Sequence, residues 1–177
     1  KATVDVKHKS DGAAYLVSTH PRQDSLDFSA GFARFALTPS ILEAFEVETI
    51  DVADASVMPD SGYVVIRQNA EMDPLNNAKI IANRFSKLHT FYESLVRIYG
   101  KYRYTAHGTY DYINELGETR PIAFESIKSD TSGTSVGIAT IKESDEFYIS
   151  PHFGYRGKIP LTADDITMFY KGAIKLQ

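Results

Sequence analysis

The sequence predicts an α+β fold: an antiparallel β-sheet packed on one long central helix, with a short helix before it and a C-terminal helix after it. Three observations predict it. Between Asp73 and Tyr99, Ala78, Ile81, Phe85, Leu88, Tyr92, Leu95 and Tyr99 recur at alternating spacings of three and four, as one stripe of a helix does. From Lys101 to Ile113 the chain alternates instead. Tyr102, Tyr104, Ala106, Gly108, Tyr110 and Tyr112 fall on one face, and Arg103, Thr105, His107, Thr109 and Asp111 on the other. Elsewhere, short runs of β-branched and aromatic residues are bounded by Gly, Pro, Asp and Ser.

Taken in order, 2–7 alternate Ala2, Val4 and Val6 against Thr3, Asp5 and Lys7. Residues 13–18 supply a second strand, joined to the first at Ser10-Asp11-Gly12. His20 to Asp24 is a loop. Asp27 to Leu37 is a strand in which Gly31 marks a bulge or a close backbone approach. Thr38 and Pro39 supply N-cap and N1 of a short helix through Phe45. Val47 to Val52 and Tyr63 to Gln68 are strands separated by the turn-rich Met58 to Gly62. Asp73 caps the long helix, Pro74 takes N1 and Gly100 stands just past the end, giving a rod of roughly 39 Å. After the tyrosine strand, Asn114 to Gly117 is a hairpin turn. Arg120 to Ile127 returns, with Pro121 confining it to a strand start or an edge. Lys128 to Thr134 is a loop, 135–142 and 147–150 are strands, and 151–160 is irregular. Thr162, Asp164 and Asp165 open the last helix, whose apolar face is Ile166, Phe169, Tyr170, Ala173 and Ile174. No repeat or linker divides the chain, so residues 1–177 form a single domain. This element order resembles helix-wrapping sheets such as the cystatin-like and nuclear transport factor 2-like folds.

With 177 residues, 43 % of them hydrophobic and 24 % charged, the chain has the length and balance of a globular domain with a full core. A net charge of −4 argues against polyanion binding by bulk electrostatics. The chain has no cysteine, which excludes disulfide frameworks, thiolate metal sites and cysteine nucleophiles. No apolar run reaches the ~18 residues of a membrane span. Eleven tyrosines and ten phenylalanines supply both a core and an adhesive surface. A first residue Lys1, without initiator Met, suggests a cut after a signal peptide, a pro-segment or a polyprotein segment, or merely the chosen boundary of the sequence.

No catalytic, cofactor or metal motif emerges. The five histidines show neither HxH nor HExxH spacing, no GxxxxGK[ST] pattern occurs, and no serine is read in the strand-turn-helix setting of a hydrolase elbow. The best ligand or interface surface is the polar set Arg103, Thr105, His107, Thr109 and Asp111 on one strand face. His107 and Asp111 lie about 13 Å apart along a strand, so a cavity would use them separately, His107 as the acid–base group; the alternative is that the tyrosine face packs on the helix and this polar face meets solvent.

Charge is blocked along the chain. From Glu43 to Asp73 eight acids face Arg67 alone, a net of −7, and from Lys79 to Arg103 six bases face Glu93 alone, a net of +5. Lys79, Arg84, Lys87, Arg97 and Lys101 form the expected charged interface. The adjoining blocks neutralise each other within the chain or, as complementary patches, support head-to-tail association between copies. The expected function is a non-enzymatic structural or assembly subunit, for example a virion or filament component, forming a homo-oligomer or joining other protein subunits. One alternative is a small-molecule-binding protein or nuclear transport factor 2-like enzyme with a cavity between helix and sheet. A second is a nucleic-acid-binding module that uses the basic segment with Tyr102 and Tyr104.

Overall fold

Extended backbone dominates the molecule. The computed structural model describes residues 4–8, 13–38 and 40–176. Among these, sixteen strands and four three-residue 3-10 turns occur, and no helix reaches seven residues. The α+β expectation is overturned: the fold is all-β, with three antiparallel sheets. The resemblance to helix-wrapping sheets falls with it.

The first sheet is β1 (Val4–His8), β2 (Ala14–Ser18) and β3 (Asp27–Ala30), in that order. The expected β1–β2 pairing is present, while the Ser10-Asp11-Gly12 turn lies outside the described residues. At Gly31 the chain leaves this sheet for a second one, ordered β4 (Phe32–Ala36), β5 (Ile41–Phe45), β8 (Val64–Ile66). Glycine suits that corner, because a Cβ there would lie 2.8 Å from Glu46 Cβ as well as against its carboxylate. The short helix expected over 38–45 is the β4–β5 hairpin instead. Ser40 takes a φ of 62° and donates to the Leu37 carbonyl, so these cap-forming residues build a turn. Pro39 lies outside the described residues.

The third sheet has ten strands. They are β6 (Ile50–Val52), β7 (Ala55–Met58), β9 (Leu75–Ala82), β10 (His89–Gly100), β11 (Arg103–Ile113), β12 (Thr119–Ser129), β13 (Ser135–Ile141), β14 (Tyr148–Ser150), β15 (Phe153–Thr162) and β16 (Lys171–Leu176). Spatial order runs β6-β7-β9-β10-β11-β12-β13-β15, with β14 beside the start of β15 and β16 on the opposite edge of β15. Residues expected to be irregular (151–160) form most of β15. The expected C-terminal helix is a loop over 163–170 followed by β16. Asp165 Oδ1 accepts from the Thr167 N–H at 2.8 Å, so the acid read as a helix opener forms an Asx turn.

The long helix is the hairpin β9–β10. Its burial has a period of two, interrupted twice. Leu75, Ala78, Ile80 and Ala82 face the core from β9, and His89, Phe91, Ser94, Val96 and Ile98 from β10. The steps Leu75 to Ala78 and Phe91 to Ser94 are three residues long because each strand carries a bulge. Asn77 and Glu93 mark the bulges with φ of 53° and 48°. Steps of two and three, separated by a turn, imitate a three–four helical rhythm. The stripe itself is not the core: Phe85 is 80 % exposed, and Tyr92 and Tyr99 are also exposed. Residues 83–87 close the hairpin in one turn. The Lys87 N–H donates to Asn83 O at 2.7 Å, and Asn83 Oδ1 accepts from the Phe85 and Ser86 N–H groups.

The ten-stranded sheet curls. Five strand steps separate β7 from β13, which would hold them roughly 24 Å apart if the sheet were flat. Yet Asp54, in the β6–β7 turn, accepts from the Ser135 N–H at the start of β13 at 2.9 Å and from the Ser135 hydroxyl as well. The Tyr104 hydroxyl bonds Ser135 Oγ at 2.6 Å from β11. Inside the curl, Phe124 packs edge to face on Phe91 and Tyr110, whose own rings meet at a tilt of 58°. The 163–170 loop packs against this core through Ala163, Met168 and Tyr170, and His89 Nε2 bonds its Asp165 carbonyl at 2.7 Å.

Candidate functional site

Curling leaves a cleft of about 970 Å³ where the first sheet approaches β6. Its walls are the consecutive residues 27–31, the segment 46–49, and the turn residues Arg84, Lys101 and Tyr102. At its centre the Tyr15 hydroxyl donates to Asp27 Oδ2 at 2.5 Å, and Lys101 Nζ donates to Asp27 Oδ1 at 2.7 Å. Burial opposes ionisation of Asp27, but the hydrogen bonds from Lys101 and Tyr15 outweigh it and hold the carboxyl below its ordinary range. The hydrogen bond to Asp27 raises Tyr15, and the same carboxylate raises Lys101. The result is a protonated phenol, a paired carboxylate and a paired ammonium. None is poised as a base or nucleophile near neutral pH. The trio instead ties β2 and β3 to the β10–β11 turn, where the Lys101 N–H donates to the Gln23 carbonyl at 2.9 Å. Across the cleft, Arg84 lies 3.7 Å from Asp51 and donates to the Ala53 carbonyl at 3.3 Å.

Two of the five charged residues expected at an interface, Arg84 and Lys101, are therefore engaged within the chain. Lys101 meets an acid of β3, a partner far outside the acidic block. Lys87 is exposed in the hairpin turn. Lys79 and Arg97 lie on the outer face of the sheet.

Arg103, Thr105, His107, Thr109 and Asp111 occupy that same outer face of β11, and none lines the cleft. Opposite them on β10 stand Tyr92, Leu95 and Arg97. Lys79 sits 5.6 Å from the centre of the Tyr92 ring, and Arg103 lies 5.6 Å from that of Tyr99. These cations cover ring faces on which a nucleobase would otherwise stack. Tyr99 also bonds Thr105 through their hydroxyls at 3.2 Å. Among the described residues, no three His, Asp or Glu side chains gather closely enough to hold a metal ion, and no helix is long and apolar enough to cross a membrane.

A third feature escaped the sequence altogether. All six residues of β16 are exposed, and only β15 pairs with it among the described residues. Within it Ile174 and Leu176 are 61 % and 69 % exposed, and Phe153 on β15 beside it is 45 % exposed. The strand sits close against β15 through a glycine pair. A Cβ on Gly172 would lie 2.1 Å from the Arg156 carbonyl, and one on Gly157 would lie 2.5 Å from Gly172 Cα. The signal available in the sequence was this pair of glycines.

No family model, curated protein or solved structure matches the chain.

Proposed function

We propose that the chain is a self-associating structural subunit whose docking element is the open edge of its ten-stranded sheet. The observation that carries this reading is β16, exposed along its whole length beside exposed Phe153, Ile174 and Leu176. A strand edge presents unpaired backbone N–H and C=O groups, which recruit another extended segment. Neighbouring apolar side chains supply burial when one arrives. The cleft supports recognition less well, because its central ionisable groups already satisfy one another.

This reading moves the contact away from the charge blocks. Arg84 and Lys101 are paired inside the chain, so a head-to-tail contact between the −7 and +5 segments loses two of its cations. Edge pairing relies on backbone hydrogen bonds and apolar contact, which salt screens little. Light scattering over a concentration series tests it. The expected mass rises above the 19.7 kDa of one chain and stays raised in ~0.5 M salt. A mass of 19.7 kDa at every concentration overturns it.

A further inference from the structure

We propose that the outer face of β10, β11 and β12 around Thr105 binds a sulfated polysaccharide, with Arg97, Arg103 and Lys128 seating its sulfate groups. The site is separate from the β16 edge and does not rest on self-association.

Register brings the three cations together. Arg97 on β10 and Lys128 on β12 stand directly opposite Thr105 on β11, one on each side. Neighbouring strands lie about 4.8 Å apart, so the two cations flank the Thr105 hydroxyl across roughly 10 Å. Arg103 stands two residues before Thr105 on the same strand face, and His107 two residues after it. All five side chains are exposed. Part of this surface is already ordered. Arg103 lies 5.6 Å from the centre of the Tyr99 ring, and the Tyr99 and Thr105 hydroxyls bond each other at 3.2 Å. A guanidinium stacked by its face keeps the N–H donors of its edge free for an oxyanion.

Nearby acids leave these cations available. Among the described residues, none of the ion pairs includes Arg97, Arg103 or Lys128. Asp130, just past the end of β12, accepts from the Ser132 and Thr134 N–H groups at 2.8 and 3.0 Å. Glu125 accepts from the Thr140 hydroxyl at 2.5 Å. Asp73, on the β9 side of Arg97, is neutralised by Arg67 at 2.5 and 2.7 Å. Glu93 and Asp111 stand farther along β10 and β11, about 13 Å from Arg97 and about 20 Å from Thr105. With Asp130 and Glu125 both counted against the three cations, the patch stays positive in a chain of net charge −4.

The surroundings select the kind of polyanion. A single-stranded nucleic acid would stack its bases on exposed rings, but Lys79 and Arg103 occupy the faces of Tyr92 and Tyr99. A membrane surface calls for apolar side chains that insert beside the cations, and the residues between these cations are Thr105 and His107. A sulfated sugar chain needs fixed cations for its sulfates and hydroxyl partners for its own hydroxyl groups. Thr105, Thr109 and Tyr99 supply the latter on the same face.

Titration calorimetry of the full chain with a heparin hexasaccharide, over a salt series, tests the inference. Wild type should bind, with log affinity falling against log salt at a slope of about −2, as counterion release at three cations requires. Arg97→Gln combined with Lys128→Gln changes exposed side chains only, and should weaken binding roughly tenfold or more and leave a slope shallower than about −1. Lys175→Gln removes a cation outside the patch and should bind within about twofold of wild type. A thymidylate oligomer of matched charge should bind more weakly than the hexasaccharide. Wild type that does not bind the hexasaccharide at low salt, or a double variant that binds as wild type does, overturns the site. A thymidylate oligomer that binds as tightly as the hexasaccharide, and loses affinity in the same double variant, overturns the sulfated polysaccharide as its ligand.

Discussion

Asp54 is the residue on which the curl of the large sheet depends. Its carboxylate satisfies both the backbone N–H and the hydroxyl of Ser135, which is 1 % exposed, and Ser135 in turn bonds the buried Tyr104. Removing the acceptor strands two donors in a site water barely reaches. Asp54→Ala should cost about 2–3 kcal/mol, whereas Tyr104→Phe removes one neutral hydrogen bond and should cost about 1 kcal/mol, both read from denaturant midpoints. Burial raises the Tyr104 phenol well above its ordinary value, so it should stay protonated until the protein unfolds. Asp27 makes an acid-side prediction. Its folded value lies below the unfolded one, so its contribution is complete above the ordinary carboxylate range near ~4 and fades as pH falls through the folded value. Asp27→Asn should flatten that acid limb of stability against pH. Lys101 and Tyr15 have raised values, so their contribution is lost only at strongly alkaline pH.

Among the elements, β11 was legible and the β9–β10 hairpin before it was not, for one physical reason. The strand contains no bulge, so its alternation from Arg103 to Ile113 appears unbroken in the sequence, with Tyr104 buried and Arg103, Thr105 and His107 exposed. Bulges at Asn77 and Glu93 insert one residue each into β9 and β10 and shift the phase of the pattern, which sequence spacing records as a helical period. Turn chemistry misled in the same way around Thr38 and Ser40 and at Asp165, because side chains that cap helices also close turns, while Asp73 is held by Arg67 instead. The cleft was illegible because Asp27 and Lys101 are 74 residues apart and share no spacing. The strand assignment makes a prediction opposite to the helical one. Ile80→Ala and Phe91→Ala, both buried, should cost about 2–5 and 3–5 kcal/mol. Phe85→Ala should fall within about 0.5 kcal/mol of wild type, since its ring is 80 % exposed. Chemical denaturation of the three variants distinguishes the two assignments.

At the scale of the whole molecule, curling gives the two ends of the ten-stranded sheet different fates. At the β6 end, Ile50 and Val52 are buried, and the first sheet stands across the cleft. At the β16 end the edge is open, carrying Lys171 and Lys175, residues that limit indiscriminate pairing on sheet edges. Sedimentation equilibrium of wild type beside Ile174→Lys tests assembly through this edge most directly. The substitution changes an exposed side chain and puts a charge among the apolar residues of the edge, so folding should survive while association fails. Wild type should sediment above the 19.7 kDa chain mass, and Ile174→Lys at 19.7 kDa. A wild-type chain that stays at 19.7 kDa across the concentration range, or a variant that keeps the wild-type mass, would contradict assembly through this edge.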